Sequence, residues 1–157
     1  MTTMTLRRTA RRFWTLSTGA DIPQGTLRTG RGLVHAEATT AEGTWSVRSH
    51  GPRRRRVTAG PPGTTALELD PPLARRDLLG RWETTRGFRH YRALLTCDTG
   101  RIAARASALR GGAVEVEVTG DHSDLVVLTV CFALLSRRRR DQMTALWVAA
   151  ITSHGPR

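Results

Sequence analysis

The residues best equipped for chemistry in this chain are arginines. Two unbroken runs, Arg53, Arg54, Arg55 and Arg56 and then Arg137, Arg138, Arg139 and Arg140, each set four guanidiniums side by side. A guanidinium is a planar fork that matches two oxygens of a phosphate or carboxylate, so the chemistry on offer is anion capture. Each run has a plainer account: the first as a charged strand edge that discourages edge pairing, the second as a solvated helix end. All 25 basic residues are arginine, against 13 acidic ones, for a net charge of +12. The absence of lysine reads as a codon-composition effect as readily as a selection for phosphate. The charge itself favours an anionic lipid surface, an acidic protein or nucleic acid as partner, and says nothing of fold.

Other chemistry finds little footing. His35, His50, His90, His122 and His154 are scattered without ligand spacing, so no metal site is predicted. Ser123 lacks the glycines of a nucleophile elbow. Gly30, Arg31 and Gly32 lack the third glycine and following helix of a dinucleotide loop. No catalytic constellation and no cofactor is expected. Cys97 and Cys131 form no disulfide framework, and Cys131 sits in the most apolar stretch of the chain. With no apolar segment following the basic start, this reads as a reducing, cytoplasmic setting.

Just past the second arginine run, Met143, Leu146, Trp147, Ala150 and Ile151 recur at the spacing of one helical face. Such a stripe beside four arginines suits a lipid interface. Packing on its own domain is the favoured expectation here, because Val148 and Ala149 leave the polar side thin. As a possible interface, the stripe is represented by Met143, Leu146, Trp147 and Ile151.

What must position these groups is mostly strand. From Phe13 to Thr119 apolar and polar residues alternate: Val34, Ala36 and Ala38 against His35 and Glu37, or Val114, Val116 and Val118 against Glu115 and Glu117. Period two marks strands with one buried and one wet face. About ten strands are predicted, near 12–18, 24–28, 33–39, 43–49, 54–58, 64–69, 79–84, 90–96, 101–107 and 113–119, with 73–79 as an alternative helical turn. Asp98, Thr99 and Gly100 suit a three-residue hairpin loop. Residues 1–12, polar and carrying Arg7, Arg8, Arg11 and Arg12, are expected to be a flexible arm.

The pattern then breaks. Asp121, His122, Ser123 and Asp124 supply capping groups and negative charge for a helix start. The eleven apolar residues 125–135 exceed the usual strand length. As a helix they are apolar on every side and must be buried on every side. They are also too few to span a bilayer, which needs about 20. Strands of five to seven residues run about 17–23 Å, long enough to sheathe such a helix, and rings of more than eight strands leave a lumen. The predicted fold is a closed antiparallel barrel of ten to twelve strands around a buried helix near 123–136. It forms one domain over 13–152, with a helical or strand segment near 142–152 and a tail at 153–157. A two-sheet sandwich enclosing the helix is the alternative.

This layout resembles the tubby C-terminal-like superfamily, which includes the LURP-one-related proteins and phospholipid scramblases. The likeness is carried by Gly120, Asp121, His122, Ser123, Asp124 and Leu125 running into the helix, and by the strands from Trp82 to Val118. The resemblance implies a twelve-stranded barrel threaded by its helix and an association with membranes or phosphoinositides. The chain departs from that pattern in having no lysine, no acidic calcium-binding segment and no cysteine-rich stretch, and in continuing for 22 residues past Leu135.

The functional expectation is a noncatalytic module for an anionic surface, above all lipid headgroups or phosphoinositides, held through the two arginine runs at the periphery of a membrane. A protein-interaction domain using 143–151 comes second. Nonspecific nucleic-acid binding comes third, because the aromatics fall mostly at inward positions. The sequence does not fix an oligomeric state.

Overall fold

Short strands with one apolar face must bury that face, and of the two layouts open to them the closed ring is the one that forms. The computed structural model describes residues 1–75, 81–86, 91–96, 102–109, 111–120 and 123–153. Its strands are β1 (Thr2–Ala10), β2 (Phe13–Thr18), β3 (Pro23–Thr29), β4 (His35–Thr40), β5 (Gly43–His50), β6 (Arg56–Gly60), β7 (Leu67–Asp70), β8 (Leu73–Arg75), β9 (Arg81–Arg86), β10 (Tyr91–Thr96), β11 (Ile102–Ala108) and β12 (Val114–Val118). Among the described residues a single turn of 3-10 helix, Arg31–Leu33, precedes β4, and one α-helix, α1 (Asp124–Ser153), follows the strands. Every strand pairs antiparallel with its sequence neighbour, and β1 pairs with β12 to close the barrel. Among the described residues the thinnest seam is at β8, which meets β9 through the pair Leu73 and Arg81.

The N-terminal residues depart from expectation. Thr2–Ala10 is the closing strand of the ring rather than a free arm, with Leu6 fully buried between Leu16 of β2 and Val114 of β12. Thr and Arg at its outward positions make the segment look polar, yet Met4 and Leu6 supply the inward face. β8 is the second strand beyond the ten expected, standing where a helical turn was the alternative. The expected hairpin turn Asp98, Thr99 and Gly100, with Cys97, Asp121, His122 and the tail 154–157, lies outside the described residues.

The lumen is filled by α1. Residues 125–136 are buried all round the helix, which packs on β3, β4, β5 and β6 along one side and on β10, β11 and β12 along the other. Room for it comes from small inward side chains: Ala36 and Ala38 on β4, Ala93 on β10, and Ala104 and Ala106 on β11. Closest approach is at Gly25 of β3, where a Cβ would stand 3.1 Å from Leu128 Cδ1 and 2.9 Å from the Thr39 carbonyl. Ser123 caps the entry, its Oγ accepting from the Val126 N–H at 3.4 Å. The buried hydroxyl of Thr129 donates to the Leu125 carbonyl at 2.7 Å, so the helix brings no unsatisfied donor there. Burial pushes the Cys131 thiol far up, leaving it a small inert apolar group.

The outer wall is the reverse of a membrane barrel's, which is apolar toward lipid. Here Arg28, Glu37, Arg48, Arg92 and Arg105 are exposed on it. No described helix is long and apolar enough to cross a membrane.

Phe132 is fully buried at the barrel axis. Phe132→Ala is expected to lower the unfolding free energy by about 3–5 kcal/mol through the cavity it leaves, read from a urea melt. A loss under about 1 kcal/mol would show that the surroundings collapse onto a peripheral site.

Candidate functional site

Sequence reading ends the buried helix near 136 and starts a separate segment near 142. In the structure α1 runs unbroken to Ser153. The second arginine run therefore sits inside a helix, at the mouth where α1 leaves the barrel, and its members point to different sides of the rim. Ser136 Oγ donates to the Leu33 carbonyl at 2.8 Å. Arg137 Nη1 donates to Thr84 Oγ1 of β9 at 2.6 Å, and Arg138 Nη1 to the Leu109 carbonyl beyond β11 at 3.4 Å. Asp141, only 7% exposed, accepts from Tyr91 OH of β10 at 3.1 Å and from Arg140 Nη1 at 3.1 Å. These contacts fasten the helix at several points round the mouth.

The first run lies in the same place. The turn 51–55 joins β5 to β6 at the mouth end of the barrel, beside the 3-10 turn that holds Leu33. Arg54 is half-buried, and its Nη1 donates to the Gly32 carbonyl. Burial, and then the nearness of Arg139 and Arg140, lowers its proton affinity below the ordinary arginine range. An arginine does not release its proton in a protein, so Arg54 stays charged in a partly buried setting beside like charges. Arg56 is committed elsewhere, its Nε 3.3 Å from Glu68 Oε1 on β7. Arg53, Arg55 and Arg139 are exposed.

The structure thus brings together parts of both runs and divides each by role. Arg137 and Arg138 brace the helix, Arg56 pairs along the wall, and Arg54 and Arg140 face each other across a cleft of about 520 Å³. Val34, Ser49, Met143, Thr144 and Trp147 complete its walls. The β1–β2 turn adds Arg11 and Arg12 to the same end of the barrel, both exposed. No spacing rule could have found this juxtaposition, because it depends on the strand order of the ring.

The apolar stripe, expected to pack on its own domain, is exposed, although Met143 and Trp147 border the cleft beside the barrel mouth. Residues 142–153 are exposed throughout, with Leu146 at 64%, Trp147 at 66% and Ile151 at 68%. This stretch carries no charged residue, and twelve helical residues extend about 18 Å. Its hydroxyls are turned inward to the helix backbone: Thr144 Oγ1 donates to the Arg140 carbonyl at 3.1 Å, Thr152 Oγ1 to Val148 at 3.0 Å, and Ser153 Oγ to Ala150 at 3.0 Å. That arrangement lowers the cost of moving them out of water.

Comparison of the chain with protein-family models, curated proteins and solved structures returns no match.

The fastening predicts its own cost. Tyr91→Phe is expected to destabilise the protein by about 1–3 kcal/mol, since it removes a hydrogen bond to a buried carboxylate. The check is chemical denaturation at neutral pH; a loss under about 0.5 kcal/mol would mean that this contact does not hold the mouth.

Proposed function

We propose that this protein is a noncatalytic module that binds an anionic membrane surface, with the projecting end of α1 in the headgroup–acyl boundary and the arginines of the barrel mouth on the headgroups. One observation carries the reading: an uncharged, apolar length of helix emerges from the middle of a basic rim. Immersed apolar side chains of this size are worth about 1.5–3 kcal/mol each when fully buried. Each arginine near an anionic leaflet adds about 1 kcal/mol. Neither contribution alone secures a protein to a bilayer, and the two together supply the pair of signals that stable attachment takes.

Arg54 and Arg140, held by Gly32 and Asp141, are the residues placed to meet a phosphate, with Arg53, Arg55 and Arg139 contributing field. Phosphoinositides fit this rim as multiply charged headgroups. The barrel threaded by its helix is also the layout that kinship with the tubby-like proteins implies, and it supports that kinship as a proposal. The continuation of α1 to Ser153 is the departure from it. On this reading the protein sits at the periphery of a membrane, and the sequence expectation of a reducing setting favours its cytoplasmic side. A protein–protein role for Met143, Leu146, Trp147 and Ile151 rests on the same exposed face, but it leaves the basic rim unused unless the partner is acidic.

Flotation with vesicles separates these readings. The protein is expected to float with vesicles containing anionic phospholipid and not with neutral ones, and to be released in part by high salt. Trp147→Glu, at an exposed position, is expected to lower recovery at least tenfold while the melting temperature stays unchanged. Equal recovery on neutral and anionic vesicles, or full recovery of Trp147→Glu, would overturn the membrane reading.

A further inference from the structure

A second cleft opens where the β1–β2 turn of the rim meets the outer wall, lined by arginines other than Arg54 and Arg140. A depression of about 580 Å³ is walled by Arg11, Arg12, Phe13, Arg28, His35 and Glu37. Strand register explains how they meet. Phe13 of β2 stands opposite Arg28 of β3, Arg28 opposite Glu37 of β4, and Glu37 opposite Ser46 of β5. With strands about 4.8 Å apart, this outward row runs about 14 Å from aromatic ring to hydroxyl. Arg11 and Arg12, in the turn just before Phe13, close one end. That turn is itself held: the Arg12 carbonyl accepts from the Thr29 N–H at 2.8 Å, and Arg12 has a left-handed backbone at φ 61°. The exposed imidazole of His35 lies over Gly30, within 2.2 Å of where a Cβ would stand.

What distinguishes this depression is that its charges are uncommitted. Elsewhere on the wall Arg56 is paired with Glu68 and Arg81 with Glu83. Among the described residues none forms an ion pair with Arg11, Arg12, Arg28 or Glu37, although Arg28 and Glu37 are direct cross-strand neighbours, a placement that ordinarily favours pairing. Phe13 is a large apolar side chain beside these charges, 37% exposed, and Trp45 lines the same depression. Guanidiniums at one end, an aromatic face in the middle and an acceptor pair beyond it make an ordered set.

We propose that this depression binds a nucleotide. A phosphate group meets Arg11 and Arg12, which are free to chelate its oxygens. The flat base lies over Phe13, with the planar guanidinium of Arg28 beside it. An exocyclic amine of the base then reaches the carboxylate of Glu37 or the hydroxyl of Ser46. The aromatic and the carboxylate distinguish this site from the barrel mouth, where arginines face aliphatic side chains and a tryptophan of the projecting helix.

The test is titration calorimetry of the full chain, without lipid, using ADP, adenosine and inorganic pyrophosphate. ADP is expected to bind saturably at one site, with adenosine and pyrophosphate each at least tenfold weaker. Phe13→Ala is expected to weaken ADP at least tenfold and leave pyrophosphate unchanged, and Arg28→Gln to weaken ADP by a similar factor. Arg92→Gln, at an exposed position on β10, should leave the ADP isotherm as it was. Should Phe13→Ala not fold, Arg28→Gln and Glu37→Gln carry the test, each required to weaken ADP more than pyrophosphate. No saturation by millimolar ADP would overturn the proposal. So would pyrophosphate binding as tightly as ADP, or a loss with Arg92→Gln equal to that with Arg28→Gln, since either would reduce the site to diffuse positive charge.

Discussion

A helix with no polar side cannot rest on a surface; it has to be surrounded. Residues 125–136 of α1 impose that condition on the rest of the chain. Twelve strands close round them, more than a side-chain-filled barrel of eight requires, and alanine replaces larger residues on the strands that lie nearest. Gly25 marks where even a methyl group would be too much. The ring in turn depends on the helix, because an empty lumen of this size would leave the inward Leu, Val and Trp side chains without partners.

The same helix changes character along its length. Up to Ser136 it is core, from Ser136 to Asp141 it is a fastening, and beyond Asp141 it is exposed apolar surface. The fastening uses polar groups at the one level where the helix passes from a dry lumen to water, so that carbonyls of the rim loops and the hydroxyls of Thr84 and Tyr91 all find partners. Two arginines are spent there as braces. The charge left over is concentrated at this end of the barrel by topology, since the β1–β2 turn, the β5–β6 turn and the helix exit all fall on one rim. A basic rim round an apolar projection follows from the chain's path rather than from any local motif.

Much of this was legible in residue order, and what was not has identifiable causes. Period-two alternation located ten strands to within a few residues, because each has one wet face. β1 was hidden by its threonines and arginines, which fill the outward positions and leave only Met4 and Leu6 to signal the inward ones. β8 is three residues long, too short for a period to register. Continuity of α1 was obscured because four arginines and an aspartate resemble a helix terminus. In the structure they are the point at which a continuing helix crosses the rim. Exposure of Leu146, Trp147 and Ile151 ran against the favoured expectation of self-packing, since an apolar stripe carries no record of whether the fold reaches it. The meeting of Arg54 with Arg140, and of Arg28 with Phe13 and Glu37, required the strand order before either could be seen.

The central claim is that one helix serves as core in its first half and as a docking element in its second. Amide hydrogen exchange along α1, with and without vesicles of anionic phospholipid, tests this directly. Without vesicles, amides of residues 129–136 should exchange only on global unfolding, while those of 145–153 exchange by local fraying. Adding anionic vesicles should slow 145–153 alone. Uniform protection along α1 in solution, or no change in 145–153 on vesicles that retain the protein, would contradict the account.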